Sequence, residues 1–449
     1  MAIRAFTFRG GVHPPQNKQE THNKPIENCP VPERVVIPLV QHIGSACEPL
    51  VGVGDRVLLG QKIGESRGLI SAPVHSSVSG TVKSFERSDC PTGGQAMSIV
   101  IENDGKDKLA DSIKDRDSEE INKLSADQLR DIIMEAGIVG MGGAAFPTHV
   151  KLRSAQEKKL DTVIINGAEC EPYLADDYRI MLEYPDEVIK GLKLIMKILG
   201  VDRGYIAIED NKQKAIDTLN KALEDDNRIR VIKLKTKYPQ GSEKQLIHAI
   251  TGRIVPAKGL PMDVGVVVNN IGTSLAIYNA VKKSEPLYYR TITVAGDAIK
   301  EPKNLTVRIG TSFKDIIDFC GGFIKEPAKL ISGGPMMGTA LHDISIPVTK
   351  QTTAILVFSE EYAKVPEESP CIRCGRCVQV CPVNLLPLSL NSLVLKGNFE
   401  EAEKLHAMDC MECGSCSYIC PSKRLLVQSI RLAKAKIHEK KKSQHSNYK

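Results

Sequence analysis

The sequence predicts a multidomain α/β protein, and three observations support this fold class. The chain has 449 residues, which exceeds the usual size of one domain. Between residues 126 and 285, strand-like and helix-like stretches alternate, which indicates a mostly parallel sheet flanked by helices. Eight of the thirteen cysteines lie between Cys371 and Cys420, which predicts a local metal site rather than a disulfide framework.

Composition and charge describe an ordinary globular chain with a basic end. Hydrophobic residues make up 42% and charged residues 25%. The N-terminus lacks the apolar core of a signal peptide, and no apolar run reaches the ~18 residues of a membrane span. Of the net charge of +6, much is local, because nine Lys or Arg and one acidic residue follow from Lys423 onward. We favour a solvated helix and tail there. Contact with an acidic partner or an anionic membrane is the alternative, and no nucleic-acid partner is expected.

Residues 1–30 are predicted to be an N-terminal extension, and residues 31–104 a small β domain. The latter are rich in Val, Ile, Gly and Ser in short alternating stretches, which predicts short strands and tight turns. The stretch "VGVGDRVLLGQKIGES", followed by "SAPVHSSVSGTV", resembles the barrel-sandwich hybrid fold of biotinyl and lipoyl domains. Those domains carry a modified lysine on a hairpin, but Glu65 to Ser71 contains no lysine. The resemblance therefore implies a structural or docking element without a swinging arm.

Residues 105–125 are predicted to be a charged linker, and residues 126–285 form the next domain. Ser125 and Gln128 match a capping box that begins a helix. Another helix is predicted from Pro185 to Leu199, with Pro in its first turn and Gly200 beyond its end. Strands are predicted at 162–166, in "GYIAIED", "IRVIKLKT" and "VGVVVNN", with helices in "NKQKAIDTLNKALED", from Ser242 to Thr251, and from Thr273.

The stretch "GMGGAAFPTHVK", Gly140 to Lys151, matches the spacing of a dinucleotide-binding fingerprint. That fingerprint requires a strand before the loop and a helix after it. Here the loop follows the helix that begins at Ser125 and precedes the first predicted strand. A standard Rossmann phosphate loop is therefore not expected, and the glycines are predicted to lie along a flat ligand.

Three further stretches fall at strand ends of the same domain: "NGAECEP" (166–172), "YPQGSEKQL" (238–246) and "VNNIGTS" (268–274). Ligands of parallel α/β sheets bind at the carboxyl ends of the strands. The last stretch joins a strand end to the first turn of a helix, where free N–H groups favour a phosphate. The sequence therefore predicts a nucleotide site built from four loops.

Together, the four stretches resemble the NADH-binding flavoprotein subunit of respiratory complex I, and the resemblance implies a Rossmann-like FMN/NADH domain. It implies that FMN is held by Gly140, Gly142, Gly143, Lys151, Asn166, Glu169, Gly241, Asn269, Asn270 and Thr273. It implies that NADH is seated by Phe146, Glu171 and Glu243. A lone Phe146 would be read as core packing, but its place in the pattern favours ligand contact. Four positions depart from the family pattern: Met141, Ala145, Ala168 and Ser242 replace Arg, Gly, Asp and Glu.

Residues 286–350 return to a β-rich pattern, with a short helix predicted over Thr311–Cys320. The stretches "YYRTITVAGDAI", "NLTVRIG" and "AKLISGGPMMG" resemble the soluble-ligand-binding β-grasp (SLBB) module. Nothing in these residues indicates a ligand.

Residues 351–432 contain "CIRCGRCVQVCP" and "CMECGSCSYICP", two runs with the spacing C-x2-C-x2-C-x3-C-P. In such runs the first three thiolates hold one 4Fe–4S cluster and the fourth reaches the other cluster. One predicted ligand set is Cys371, Cys374, Cys377 and Cys420, and the other is Cys410, Cys413, Cys416 and Cys381. Structural zinc is the alternative, but it uses paired C-x2-C units. A helix, a Gly397–Asn398 turn and a second helix are predicted between the runs, so this is a helical two-cluster ferredoxin domain; residues 433–449 are the basic tail.

The order of these modules, beginning with "FRGGVHPP", resembles the C subunits of Rnf electron-transport complexes over nearly the whole chain. The resemblance implies electron transfer between NADH, FMN and two 4Fe–4S clusters in an ion-translocating ferredoxin:NAD oxidoreductase. It implies a peripheral subunit on the cytoplasmic face of the membrane, with a ferredoxin-like B subunit and integral membrane subunits as partners and ferredoxin as an indirect one. No catalytic acid or base is expected, since the cofactor supplies the chemistry. The alternatives are a cobalamin or other flavin reductase of similar parts, and a non-catalytic electron-transfer subunit.

Overall fold

A computed structural model describes residues 5–223 and 226–446. The first four residues of the predicted N-terminal extension, the last two of one predicted helix (224–225) and the last three of the basic tail lie outside the described residues. Within these described ranges, no helix is long and apolar enough to cross a membrane.

The N-terminal third is built from short strands, as the alternating Val and Ile residues predict. The strands are β1 (Ile26–Asn28), β2 (Arg34–Pro38), β3 (Glu48–Pro49), β4 (Arg56–Val57), β5 (Lys62–Glu65), β6 (Val74–His75), β7 (Gly80–Asp89) and β8 (Gln95–Asn103). One sheet has the order β2-β8-β7-β4 and a second has the order β3-β5-β6. Their inner faces share a core that includes Val35, Ile63 and Ile101. The predicted barrel-sandwich hybrid is confirmed.

Two capping boxes shape the region that follows. Helix α1 (Ser118–Lys123) forms within the predicted charged linker, because Asp117 and Glu120 cap each other's backbone N–H groups. Helix α2 (Ala126–Glu135) begins after Ser125, whose hydroxyl accepts from the N–H of Gln128, as predicted. Helix α3 (Thr148–Gln156) follows the glycine-rich loop.

A four-stranded parallel sheet in the order β11-β10-β9-β12 forms the centre of the molecule, as predicted. Its elements are β9 (Thr162–Gly167), α4 (Asp176–Glu183), α5 (Pro185–Leu199), β10 (Gly204–Glu209), α6 (Gln213–Leu223), β11 (Ile229–Leu234), α7 (Glu243–Thr251), β12 (Val266–Asn270) and α8 (Ile271–Lys283), with a 3-10 turn at Pro261–Val264. Helix α5 has the predicted bounds, since Pro185 starts it and Gly200 ends it at φ +63°.

One helix start and one capping hydrogen bond differ from the sequence prediction. Helix α8 begins at Ile271 rather than Thr273, because Asn270 is the N-cap and its side chain accepts from the N–H of Thr273. Ser242 stands at the N-cap of α7, but its hydroxyl makes no capping hydrogen bond. Both differences lie in the loops of the predicted nucleotide site.

The second β-rich module is a six-stranded sheet in the order β1-β14-β13-β17-β15-β16. Its elements are β13 (Tyr289–Ala295), β14 (Lys303–Arg308), α9 (Phe313–Phe319), β15 (Pro327–Ser332), β16 (Thr339–Leu341), β17 (Ala354–Ser359) and α10 (Glu360–Ala363). β1 comes from the predicted extension and pairs with β14, and β17 lies beyond residue 350 and pairs with β13 and β15. We therefore propose that the module includes residues 26–28 and extends to residue 363.

The cysteine-rich part is helical, as predicted. It comprises α11 (Arg376–Gln379), α12 (Pro387–Leu395), α13 (Phe399–Lys404), α14 (Ser415–Ile419) and α15 (Leu426–Ser446), with a 3-10 turn at Ala407–Asp409. Helix α15 packs on α12 and α13. Lys440 and Lys441 form ion pairs with Glu400 and Glu403, so part of the basic excess is neutralised within the chain.

Candidate flavin site and cysteine cavities

The four predicted loops meet at the carboxyl edge of the central sheet. Lys151 of α3 donates from Nζ to Glu243 Oε1 at 2.6 Å and to the carbonyl of Val268 at 2.5 Å. Asn166, at the end of β9, donates from Nδ2 to the carbonyl of Gly241 at 2.7 Å. Residues separated by about ninety positions in the sequence are therefore joined at one place.

The glycine-rich loop lies open beside this edge. The N–H of Gly140 donates to the carbonyl of Phe146 at 2.9 Å, which closes the loop on itself. Gly142 and Gly143 are exposed, and Phe146 is half-buried. A Cβ on Gly142 would lie 3.0 Å from Asn270 Cβ, so a side chain there would crowd the neighbouring loop. Because α2 precedes the loop and α3 follows it, the strand–loop–helix context of a Rossmann fingerprint is absent from this part of the described chain.

The start of α8, the predicted phosphate seat, already holds a carboxyl group. Asn270 Nδ2 donates to Asp177 Oδ2 at 2.6 Å, and the N–H of Gly272 is a further donor to Asp177. Burial and the neighbouring Glu169 raise the pKa of Asp177. The buried guanidinium of Arg290 faces Asp176 and Asp177. Sequence reasoning missed this arrangement, although the Asp176–Asp177 pair begins four positions after the end of the "NGAECEP" stretch.

Several buried polar atoms at this edge have no hydrogen-bond partner among the described residues. They are Asn269 Nδ2 and both amide atoms of Gln240, whereas the buried Tyr238 hydroxyl faces the Glu171 carboxyl. Asn269 lies at the end of β12 and Gln240 follows β11, two of the strands that end at the predicted site. Buried polar groups are ordinarily satisfied, so orphan groups that gather at one place point to a missing ligand or water. The set fits a ligand as polar as FMN. Gln240 and Tyr238 lie inside a predicted stretch, but nothing in the sequence singles them out.

Glu169 has other partners. Its carboxylate is 2% exposed, and it accepts from Lys18 Nζ at 3.4 Å and from the N–H of Tyr178 at 3.1 Å. Lys212 Nζ lies 3.9 Å away and forms a second buried ion pair with Glu209. Lys18 belongs to the N-terminal extension. Glu169 therefore ties that extension to the end of β9.

Glu171 connects the site to the β-grasp module. Its Oε2 accepts from the N–H of Met336 at 3.0 Å. Burial raises the pKa of Glu171 to about 7, while backbone N–H groups of Met336 and Met337 oppose the shift. The adjacent Cys170 accepts from the N–H of Gly241 at 3.4 Å, and burial raises its pKa to about 12. A thiol so far from ionisation is a packed side chain rather than a reactive one.

The eight C-terminal cysteines sort into two cavities of four. We call the four cysteines that line one cavity the inner set and the four that line the other cavity the outer set. The inner set is Cys381, Cys410, Cys413 and Cys416, and the outer set is Cys371, Cys374, Cys377 and Cys420. Each cavity therefore takes its fourth cysteine from the other run, which is the pairing that the spacing predicts.

Details of the cavities suit a cluster. Backbone N–H groups of Arg373, Glu412 and Leu385 donate to Sγ of Cys371, Cys410 and Cys381 at 3.3 to 3.4 Å. Such hydrogen bonds to sulfur are one means of setting cluster potentials. In the described ranges, no group of three or more His, Cys, Asp or Glu is arranged to hold a single metal ion.

The two cavities differ in their surroundings. In the inner set, Cys381, Cys413 and Cys416 are buried, whereas Cys371 and Cys374 of the outer set are exposed. Cys413 packs in an apolar cluster with Tyr238 and Val12. The inner cavity therefore abuts the loop that follows β11 at the predicted nucleotide site.

The N-terminal extension joins these parts by backbone hydrogen bonds. The N–H of Val12 donates to the carbonyl of Tyr238 at 2.7 Å, and the N–H of Tyr238 donates back at 2.9 Å. The N–H of Gly11 donates to the carbonyl of Val380 at 2.9 Å, next to Cys381. At Gly11 φ is +80°, and a Cβ would lie 2.6 Å from the Tyr238 carbonyl oxygen, so only glycine fits without a shift.

Comparison with known families matches four segments of the chain. Family models match as follows: the RnfC barrel sandwich hybrid domain over residues 6–106, the Nuo51 FMN-binding domain over 133–279, the SLBB domain over 291–340, and the 4Fe-4S dicluster domain over 370–424. The NAD+-reducing NiFe hydrogenase in its H2-reduced state has a similar fold. Its TM-score is 0.50 at 19% identity, covering 65% of this chain and 60% of that chain.

Relatives match nearly the full length. The C subunit of the Na(+)-translocating ferredoxin:NAD(+) oxidoreductase complex of Acetobacterium woodii is 50% identical over 97% of this chain and 98% of that protein. The proton-translocating counterpart of Clostridium ljungdahlii is 52% identical over 96% and 93%. The C subunit of the ion-translocating oxidoreductase complex of Rhodobacter capsulatus is 44% identical over 99% and 85%.

The domains define an iron–sulfur flavoprotein of electron transport. The chain belongs to the family of C subunits of ion-translocating oxidoreductase complexes. It is thus one subunit of a multi-subunit complex, and other subunits of that complex are its partners.

Proposed function

We propose that this chain is the NADH-oxidising, electron-input subunit of an ion-translocating ferredoxin:NAD oxidoreductase. It passes electrons between NADH, FMN and two 4Fe–4S clusters. One observation carries the proposal: eight cysteines sort into two cavities of four, and the inner cavity abuts a strand-end loop of the FMN-type domain. The full-length relatives named as C subunits support it.

The residues proposed to hold the nucleotides are those at the carboxyl edge of the sheet. FMN would contact Gly140, Gly142, Gly143, Lys151, Asn166, Gly241, Asn269, Asn270 and Thr273. NADH would contact Phe146, Glu171 and Glu243. FMN held by these residues would supply the chemistry that couples two-electron hydride transfer to one-electron steps. The protein orients the two rings, and the partnerless amide of Asn269 supplies a donor for a ligand oxygen.

The contacts of two carboxyl groups refine the proposed site. Glu169 would influence the flavin site indirectly, through the ammonium groups of Lys18 and Lys212, because its carboxylate is buried beside them. Asp177 occupies the start of α8, so a phosphate near Asn270 and Thr273 would share that helix end with a carboxyl group whose pKa is raised. A protonated Asp177 could donate a hydrogen bond to the phosphate instead of repelling it.

The proposed ligand sets follow the two cavities, and their surroundings suggest an order of transfer. The inner set would exchange electrons with the flavin, because it packs against Tyr238 beside Glu171. The outer set would exchange electrons with the next protein, because Cys371 and Cys374 are exposed. Electrons would then enter and leave at different faces of the cysteine-rich domain.

The proposed partners are a ferredoxin-like B subunit and integral membrane subunits, with ferredoxin as an indirect donor or acceptor. The proposed location is the cytoplasmic face of the cell membrane, as a peripheral subunit. The relatives' names, which describe ion-translocating complexes, support this. If it holds, salt washing of membranes from cells that express the whole complex should release the chain without detergent.

Anaerobic titration tests the function. The chain is reconstituted with FMN, iron and sulfide, and NADH is added while flavin absorbance and cluster EPR signals are recorded. The proposal expects stoichiometric bleaching of the flavin, followed by the signals of reduced clusters.

If FMN binds but NADH does not bleach it, while dithionite still reduces both clusters, the chain is a non-catalytic electron-transfer subunit. The departures at Met141, Ala168 and Ser242 would then account for the lost nucleotide contact.

A further inference from the structure

The outer cysteines reach the surface at a face that carries unpaired positive charge. Arg373 lies between Cys371 and Cys374, Arg376 directly precedes Cys377, and Lys423 follows Cys420 by three positions. All three cations are exposed. Within residues 5–223 and 226–446, none of their side chains has an ion-pair or hydrogen-bond partner.

At the corresponding position, the inner run carries an acidic residue whose charge is paired. Glu412 stands where the outer run has Arg373. Its carboxylate accepts from Arg431 Nε at 2.9 Å and pairs with Lys434. The cations that face Glu412 near the inner run are therefore neutralised, whereas Arg373, Arg376 and Lys423 near the outer run are not. The unpaired positive charge near the outer run does not come from helix α15, because the cations of that helix are largely paired.

Exposed apolar side chains complete the outer face. Ile372 is 68% exposed and Leu425 is 43% exposed. Apolar contacts surrounded by a charged rim are the usual composition of a protein docking surface. Of the two acidic residues in the adjoining segment, Glu368 pairs with Arg424, and only Glu367 is without an ion pair among the described residues. The face therefore keeps a net positive charge.

We propose that this outer docking face, formed by Ile372, Arg373, Arg376, Lys423 and Leu425, binds an electron-transfer protein whose own redox centre is surrounded by acidic side chains. The proposal rests on the proposed function, which places electron exchange at the outer set. Complementary charge steers such a partner to the exposed cysteines and speeds association.

The electrons balance without a further reactant. Oxidation of one NADH yields NAD+, one proton and two electrons. The electrons leave the outer set singly, so two oxidised one-electron centres of the partner are reduced. In the opposite direction, two reduced centres supply the electrons that convert NAD+ and a proton to NADH.

The test uses the reconstituted chain and two protein probes of opposite charge. A reduced acidic ferredoxin donates to the oxidised chain, and the reduced chain donates to the basic protein cytochrome c. Second-order rates are measured by stopped flow between about 20 and 500 mM salt, where the Debye length falls from about 20 to about 4 Å.

The variant is Arg373→Glu/Arg376→Glu/Lys423→Glu, and the control is Arg87→Glu/Arg230→Glu/Lys258→Glu. The control cations are also exposed, lack ion pairs in the described structure and lie on the barrel-sandwich and central domains. At low salt, the variant should react with ferredoxin at least about tenfold more slowly and with cytochrome c faster, as electrostatic steering predicts. The control should change both rates less than about threefold.

Iron content and EPR signals of the variant must match the wild type. If they do not, the milder Arg373→Gln/Lys423→Gln variant is used and should show a smaller change of the same sign. Equal ferredoxin rates in variant and control, or a variant effect that does not shrink with salt, would overturn the docking face. Because ferredoxin delivers electrons directly to the clusters, this result is independent of whether NADH reduces the flavin.

Discussion

The two cysteine runs have the same spacing and the same local backbone, yet their surroundings differ. Gly375 and Gly414 have φ +72° and +75°, and Arg373 and Glu412 have φ +54° and +60°. Outside the backbone the likeness ends. A Cβ on Gly375 would meet nothing within 4 Å, whereas one on Gly414 would lie 3.1 Å from the carbonyl oxygen of Met336. Spacing sets which cysteines share a cavity, and packing decides which cavity faces the flavin domain.

The largest expected effect comes from replacing the fourth cysteine of each run with alanine. Cys381→Ala should remove the inner cluster and Cys420→Ala the outer one, because each residue lines the cavity of the other run. Each variant should lose about half of the iron and one of two EPR signals, since one four-thiolate site fails. Iron analysis and EPR of the dithionite-reduced protein measure this.

The two variants also separate the proposed roles. Cys381→Ala should slow NADH-driven reduction of the remaining cluster by at least about tenfold, because a longer gap must be crossed, while Cys420→Ala should leave reduction of the inner cluster unchanged. Cys90→Ala is the control, because this thiol lies between β7 and β8 of the barrel-sandwich domain and lines neither cavity. Loss of the outer signal in Cys381→Ala would refute the crossed sets.

The next effect concerns Glu171, a buried carboxyl group near the inner set. Burial raises its pKa from 4.5 to about 7. The folded protein therefore binds a proton more tightly than the unfolded chain, so this group lowers stability as pH rises from about 4.5 to 7. The full shift corresponds to at most about 3 kcal/mol. Glu171→Gln should flatten this pH dependence of stability. The increase in melting temperature over the wild type should therefore be larger at pH 8 than at pH 5.5.

The amide of Glu171→Gln keeps an oxygen that can accept from Met336, so the variant removes the charge and preserves the contact. Glu367→Gln, in the exposed segment before the outer run, is the control and should leave the pH profile unchanged. A profile that persists in Glu171→Gln would assign the pH dependence to another group, such as Asp177.

How much the sequence predicts depends on the distance over which each contact acts. Helix α5 has the predicted bounds because Pro185 and Gly200 act within one turn. The sorting of the cysteines into two cavities was predictable because short spacings keep the first three cysteines of a run together, while the fourth lies too far along the chain to join them.

The remaining features needed contacts far apart in the chain. Nothing near Ala354 reveals that β17 pairs with β13, about sixty positions earlier. Nothing in the sequence around Lys18 reveals that its side chain reaches Glu169. The Asp177 carboxyl at the start of α8 was missed for the same reason, since it depends on how α4 packs beside α8. Local propensity carries no information about these partners.

A smaller effect is expected from placing Ala at the two matched glycines. Both substitutions place a side chain at positive φ, which costs about 1 kcal/mol. Only Gly414→Ala also crowds a neighbour, so it should lower the free energy of unfolding more than Gly375→Ala and slow flavin-to-cluster transfer. Urea unfolding and stopped-flow reduction by NADH measure the pair. Equal losses in the free energy of unfolding would mean that the backbone at Met336 moves aside at no cost and that Gly414 is not tightly packed against it.

The smallest effect tests the charge difference between the runs. Glu412→Gln frees Arg431 and Lys434, which are 44% and 21% exposed, so the lost ion pairs should reduce stability by about 0.5 kcal/mol. The substitution also leaves two cations unpaired near the inner run. If free charge alone selects the docking site, the ferredoxin rate should rise severalfold at low salt. If the partner must also reach exposed cysteines, the rate should stay within about twofold, because the inner set is buried by Tyr238 and Met336. We expect the second result, since steering raises encounters while electron transfer needs a cluster at the surface.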